Sequence, residues 1–228
     1  MSRFIVRVVA GDGWPESRGL GIGSTDMHNE APRLVAGLGN PGKDYERTRH
    51  NVGFMAIEHI SRVFNIPLSN TKFDVLFGRG SIKGKPVILA KPQAFMNRSG
   101  PPLQRLADYY RIPWQEILVI HDDIDLAFER LKIKEKGGDG GHRGIRSIVA
   151  AFGGGEFTRI RIGVGRGAGE AGVRIDVTGH VLGRFNQEEA RIMDGVIERA
   201  TEAVVAVLCQ GTEIGMNRFN RIINDVQL

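Results

Sequence analysis

From Arg33 onward, short apolar runs alternate with longer stretches in which apolar residues recur every three or four positions. Leu34-Val35-Ala36 is a short apolar run that ends in glycines and predicts a strand. Over Val52–Phe64 the apolar positions Phe54, Ile57, Ile60 and Phe64 follow a helical spacing. Phe73–Phe77 and Val87–Ala90 predict two strands joined through the turn Lys83-Gly84-Lys85-Pro86. Pro101-Pro102 opens a helix over Leu103–Tyr110. Ile117–Ile120 is apolar without interruption, the pattern of a strand covered on both faces. Leu131–Lys136 and Arg159–Val164 instead alternate apolar and basic residues, which predicts strands with one solvated face. Arg143–Phe152 predicts a helix, Asp176–Leu182 a weaker strand, and Thr212–Ile223 a last short helix. Gln187–Leu208 predicts a long amphipathic helix, capped by Asn186 with Glu189 three residues on. The sum is an α/β class: a single domain with a twisted, mixed β-sheet flanked by helices.

Composition changes this picture little. The 228 residues are 41% hydrophobic and 25% charged, ordinary for a globular chain of one domain. A single cysteine allows no internal disulfide and no cysteine-based zinc cluster, and it fits a reducing, cytoplasmic setting. No apolar run approaches the length of a membrane span. Residues 1–31 differ from the rest. Phe4–Ala10 is apolar but broken by Arg7, and Gly11–Ser24 is rich in Gly, Pro and Ser. The run is too short and too charged for a secretory signal, and acidic residues argue against a transit peptide. This segment is expected to be a flexible extension, with Met27 as an alternative start and residues 32–228 as the domain.

Charge is more informative in its distribution than in its total of +5. Residues 130–146 carry Arg130, Lys132, Lys134, Lys136, Arg143 and Arg146 against Glu135 and Asp139. Residues 159–174 carry Arg159, Arg161, Arg166 and Arg174 against Glu170. Concentrated cations point to a polyanionic partner, with a solvated strand face as the plainer alternative.

Gly37-Leu38-Gly39-Asn40-Pro41-Gly42 matches a dinucleotide fingerprint in letters, but Pro41 lacks the amide that a pyrophosphate needs. The acid about 20 residues on, Glu58, falls inside a helical pattern and not at the end of a second strand. What remains is a tight turn that holds Asn40 at a strand's carboxyl end. His50, in Arg49-His50-Asn51, stands where a loop enters a helix, and imidazole suits general-base work near neutrality. His28, His59 and His180 stand apart and take structural or surface roles. Asp122, Asp123 and Asp125 follow the buried strand, where α/β sheets place their ligand crevices. One reading makes them a divalent-metal site; another has one carboxylate orienting His50. Asn97 offers an amide for a water or a developing oxyanion. The glycine-dense loop Gly137-Gly138-Asp139-Gly140-Gly141 leads into a helix, so gating and phosphate contact are both open. Cys209 is expected in the core. No G-x-S-x-G elbow or P-loop occurs.

Taken together, these motifs resemble the bacterial-type peptidyl-tRNA hydrolase family. The matching stretches are Leu38-Gly39-Asn40-Pro41-Gly42 with Tyr45, Thr48-Arg49-His50-Asn51-Val52-Gly53, and Lys91-Pro92 with Phe95–Gly100. They continue with His121-Asp122-Asp123-Ile124-Asp125, Gly140-Gly141-His142-Arg143-Gly144 and Arg159–Gly165, all in the family's order. The resemblance implies a monomer that hydrolyses the ester between a peptide and the 3′ ribose of tRNA, with no metal and no cofactor. It implies that His50 activates water, that Asp122 orients His50, and that Asn40 and Asn97 position the water and the carbonyl. Tyr45, Phe95, Met96, Asn51, His142 and Arg143 would contact the substrate, and Lys134 with Arg161 would hold the tRNA 5′ phosphate. The family often has Asn where Arg143 stands; an Arg cannot accept a hydrogen bond, so phosphate contact is the expected substitute there. Two other classes stand beside this one: a metal hydrolase built on Asp122, Asp123 and Asp125, and a non-catalytic RNA-binding module that uses the basic strands.

Overall fold

The computed structural model describes residues 31–167 and 176–221. Of the expected extension over residues 1–31, residues 1–30 lie outside them, as do Glu170 and Arg174. The strands are β1 (Arg33–Gly37), β2 (Asn70–Lys72), β3 (Val75–Ile82), β4 (Lys85–Pro92), β5 (Ile117–Asp123), β6 (Leu131–Lys134) and β7 (Thr158–Gly163). The helices are α1 (Val52–Val63), α2 (Gly100–Tyr109), α3 (Arg143–Phe152), α4 (Val177–Leu182), α5 (Gln187–Gln210) and α6 (Thr212–Phe219). The seven strands form one sheet in the order β2-β3-β4-β1-β5-β7-β6. β1 pairs parallel with β4 and β5, and β5 with β7, while β2, β3 and β6 join antiparallel at the two edges.

Successive strand residues face opposite layers, and the sequence fills both. Val35, Leu89, Leu118, Ile120, Ile160 and Ile162 meet α1 and α5 on one face. Leu34, Ala36, Ile88, Ala90, Ile117 and Val119 meet α2 and α3 on the other. The capping box at the start of α5 forms as its sequence predicts, with Asn186 and Glu189 bonding each other's backbone amides.

Several local expectations change. Asp176–Leu182 is not a strand: Val177–Leu182 is helical because the Asp176 carboxylate caps the Gly179 amide. Its β-branched residues mimic a strand, but the cap decides. The strand expected at Phe73–Phe77 begins at Val75, because Phe73 and Asp74 are the left-handed corner of a hairpin from β2, at φ 54° and 58°. Cys209 is exposed, one position past Leu208 and rotated off the buried stripe of α5. Arg159 does not lie on a solvated face; it is 3% exposed.

Candidate active site

The site forms at the carboxyl ends of β1, β4 and β5. Gly37 and Gly53 let the start of α1 lie directly on the sheet: a Cβ on Gly37 would come within 2.1 Å of the Gly53 carbonyl oxygen. A Cβ on Gly53 would come within 2.4 Å of the Ile120 carbonyl oxygen. That close approach carries the 3₁₀ turn Arg49–Asn51 over the end of β5.

There the His50 Nδ1 proton is donated to Asp122 Oδ1 at 2.8 Å. The same oxygen accepts from His142 Nε2 at 2.9 Å. His142 has its tautomer set from behind: its Nδ1 caps α3, accepting from the Gly144 and Ile145 amides at 3.1 and 3.2 Å. Nδ1 therefore carries the lone pair and Nε2 the proton. Asp122 is 2% exposed. Burial alone would raise its pKa, but the imidazoles of His142 and His50 outweigh it and hold the carboxyl far below the usual carboxylate range. Asp122 is thus an anion that fixes two rings, and His50 keeps a free lone pair at Nε2. His121, on the opposite face of the strand, donates from Nδ1 to the Asp122 carbonyl at 2.6 Å. Burial, and then His142, push its pKa well down, so it stays neutral.

Ligand atoms of His50, Asp122 and His142 lie within 4.8 Å of one another, a spacing that suits a cation. The donor set does not fit one. His142 can offer a lone pair at Nε2 only by giving up both cap bonds at Nδ1, and Asp122 already serves as acceptor for both rings. The three aspartates do not converge either: Asp123 accepts from Arg161 at 2.5 Å and Asp125 from Arg166.

A cleft of about 450 Å³ opens beside the pair. Asn40, Phe95, Met96, Asn97, His142 and Arg143 line it. Asn40 accepts from the Met96 amide at 2.8 Å through Oδ1, which leaves its Nδ2 as the donor of a side chain that lines the cleft. Asn97 and Phe95 are exposed on the rim, Phe95 by 57%. α4 forms the facing wall with Val177, Thr178, Val181 and Leu182. Asn51 does not line this cleft but a cavity on the other side of Asn40. It is buried, its Oδ1 accepts from the Asn40 amide at 2.8 Å, and its Nδ2 donates to the Asn40 carbonyl at 2.9 Å. It braces Asn40 from behind. Tyr45 sits in the turn before His50, its backbone bonded to Gly42 and Thr48, and is absent from the cleft lining. A second, more polar cavity of about 780 Å³ lies across Asn40.

At the far edge, Lys132, Lys134, Arg159 and Arg161 share one face of β6 and β7. Lys132 stands opposite Arg161 and Lys134 opposite Arg159. Both lysines are exposed. Arg161 is part-buried against Asp123, and Arg159 turns inward.

Sequence reasoning passed over Arg49. Its Nη2 donates to both carboxylate oxygens of Glu189 at 2.9 and 2.7 Å, and its Nη1 to the Arg184 carbonyl at 3.0 Å. These bonds pin the turn that holds His50 to the start of α5; an Arg adjacent to a candidate base was the available signal.

A buried carboxylate, a base of fixed tautomer and a free amide donor around one cleft define a hydrolase that activates water. The comparisons give that class a family. The peptidyl-tRNA hydrolase family model matches residues 34–226. Curated relatives named peptidyl-tRNA hydrolase include one from Caldanaerobacter subterraneus, 47% identical over 82% of this chain and 98% of that protein. One from Clostridium novyi is 46% identical over 82% of this chain and 97% of its own length. The crystal structure of peptidyl-tRNA hydrolase from Acinetobacter baumannii superposes with a TM-score of 0.76 at 40% identity, covering 86% of this chain and 97% of that one. This chain belongs to the peptidyl-tRNA hydrolase family, whose members are ester hydrolases. Among the described residues no helix is long and apolar enough to cross a membrane.

Proposed function

We propose that this chain hydrolyses the ester joining a peptide to the 3′ ribose of tRNA, with His50 as general base. The observation that carries this reading is the 2.8 Å bond from His50 Nδ1 to a buried, ionised Asp122, which leaves Nε2 as the basic lone pair beside the cleft. A water at Nε2 attacks the ester carbonyl and gives its proton to His50. The amides of Asn40 and Asn97 hold the water and the developing oxyanion. Collapse breaks the bond from the carbonyl carbon to the 3′ oxygen, which takes the proton back from His50. The products are a peptide carboxylate and a tRNA with a free 3′ hydroxyl. A positioned base supplies about 10²–10⁴-fold.

Phe95 and Met96 line the floor and rim for the substrate's reacting end, and His142 acts on it through Asp122. Arg143, at the first turn of α3, meets a phosphate near the 3′ end. Lys134 and Arg161 take the 5′ phosphate by charge, which fixes position without reading sequence. The working species is a monomer in the cytoplasm, with the domain beginning at about residue 32 and an extension before it. Support for the tRNA side comes from the exposed lysines on the β6–β7 face.

The test is release of the acylated amino acid from an N-acetyl-aminoacyl-tRNA in excess EDTA. Release well above the spontaneous rate is expected. No release in EDTA but release after adding Mg²⁺ or Mn²⁺ would move the chemistry to a metal. Binding of tRNA without release under either condition would leave an RNA-binding protein.

A further inference from the structure

We propose that Arg159 is a positioning residue: it locks the glycine-rich loop that presents His142 to Asp122, and it holds no phosphate. The inference rests on the hydrolase reading for its kinetic consequences, though not for its structural ones.

By sequence Arg159 belongs to a basic segment with Arg161, and in the sheet it shares the face of Lys134 and Arg161 and stands across from Lys134. Its side chain does something else. Nη1 donates to the Gly138 carbonyl at 2.6 Å. Nη2 donates to the Gly137 carbonyl at 2.5 Å and to the Gly155 carbonyl at 3.0 Å. Nε is buried with no partner, and the guanidinium lies 4.5 Å from the centre of the Phe157 ring. Three of its five N–H groups are committed to loop carbonyls and Nε is buried, so a phosphate could take the charge of this group, 3% exposed, only by displacing the loop. Burial, and then the Arg161 charge, lower the Arg159 pKa, as expected for a guanidinium taken out of water.

What it grips needs gripping. Residues 137–141 include four glycines, of which Gly137, Gly140 and Gly141 sit at φ 142°, 57° and 78°. Such a run has the most backbone freedom to lose on ordering. The loop then hands on directly to the site: the Asp139 carbonyl accepts from the His142 amide at 3.0 Å, and His142 Nε2 reaches Asp122. Arg159 thus ties β7 to the segment that delivers one of the two donors on the catalytic carboxylate.

Gly155 allows a second way to break the clamp without touching charge. A Cβ there would come within 2.4 Å of the Gly137 carbonyl oxygen and 3.0 Å of Arg159 Nη2. Gly155 is not among the residues of positive φ, so alanine meets no backbone strain.

The experiment compares Arg159→Met, Arg159→Lys and Gly155→Ala with wild type. It measures kinetics on N-acetyl-aminoacyl-tRNA across a salt series, and amide hydrogen exchange of residues 137–145 without substrate. Arg159→Met and Gly155→Ala are expected to lower kcat about 10- to 100-fold, the scale of a roughly 1 Å misplacement. KM should stay within about 3-fold, the salt slope of kcat/KM should not change, and exchange in the loop should rise. Arg159→Lys should recover part of the loss. The inference is overturned if Arg159→Met raises KM and flattens the salt slope by about 0.7–0.9, the mark of a lost phosphate contact, while Gly155→Ala behaves as wild type. Unchanged exchange in both variants overturns it whatever the kinetics show. If Arg159→Met does not fold, Gly155→Ala and Arg159→Lys decide by the same criteria. A wild type with no turnover defeats the hydrolase reading instead, and the exchange data still decide the clamp.

Discussion

The cleft and the β6–β7 edge are both crowded with ionisable groups, and they use them in opposite ways. In the cleft, one carboxylate 2% exposed accepts from two imidazoles whose outer faces are fixed by a helix cap and a pinned turn. At the edge, Lys132 and Lys134 are exposed, the end of Lys134 lying beside Gly137, and of the four cations there Arg161 alone is held by a carboxylate. Directed proton transfer needs geometry and low local dielectric. Attraction of phosphate needs charge, which acts at several ångströms and is weakened by salt. Damage in the first region should therefore appear in kcat, and damage in the second in KM and its salt dependence.

The sharpest way to break that contrast is His50→Ala. It is expected to lower kcat by about 10²–10⁴-fold with an unchanged circular dichroism spectrum; turnover near the wild-type rate would remove His50 from the chemistry. Asp122→Asn should follow closely, because an amide oxygen at the Oδ1 position can still accept from both rings but lacks the negative charge that stabilises the imidazolium formed when His50 takes the proton. This variant also carries a pH signature. The folded-state pKa of Asp122 is depressed, so its stabilisation is present above the unfolded value near 3.9 and is lost as pH falls through the folded value. The stability gap between wild type and Asp122→Asn, read from urea unfolding, should be widest near neutrality and narrow below about pH 4. A gap that grows on acidification would contradict the ionised, doubly bonded carboxylate.

Smaller effects lie between and beyond the two regions. Asn51→Ala removes both bonds that brace the Asn40 backbone and should cost about 1–3 kcal/mol of stability together with a clear loss in kcat, measured by melting and turnover. A change in KM alone would place Asn51 with the substrate after all. Lys134→Ala should leave kcat nearly intact, raise KM a few-fold and flatten the salt slope by about 0.7–0.9; an unchanged slope would detach this edge from tRNA. Asp176→Ala is the mildest. It removes the cap of α4 and should cost about 0.5–2 kcal/mol, read as faster hydrogen exchange in residues 177–182.

Much of the frame was legible from the chain. The uninterrupted run at Ile117–Ile120 is the doubly covered centre of β5, and the pairing of Asn186 with Glu189 marks the start of α5 to the residue. The adjacent strand signals near 73–90 suggest a mixed sheet, and β3 and β4 do pair antiparallel; those near 117–135 do not pair with each other, because β7 lies between β5 and β6. What failed to show has physical causes. The corner at Phe73–Asp74 has positive φ without glycine, so no sequence signal announced it, and β2, all polar, looked like loop. α4 was hidden by β-branched residues that a single aspartate cap overrides. Alternation correctly placed Arg159 and Arg161 on one face, yet a face can be covered by a distant loop, and periodicity carries nothing about that. In the site, His50 and Asp122 are 72 residues apart, and the motifs together paired them where spacing alone could not. The cap made by His142 and the brace made by Asn51 became visible only with hydrogen-bond partners in place.

Arg49 and Glu189, 140 residues apart, share a bidentate pair, while Glu189 also closes the first turn of α5. The base is therefore inherited as a package with the C-terminal half of the chain. A chimera of two relatives joined anywhere between those positions swaps one partner for a stranger, and would turn over poorly even if every residue in its cleft were correct. Recombination libraries built on this fold should move Arg49 and Glu189 as one allele, or expect crossovers between them to be depleted among active clones.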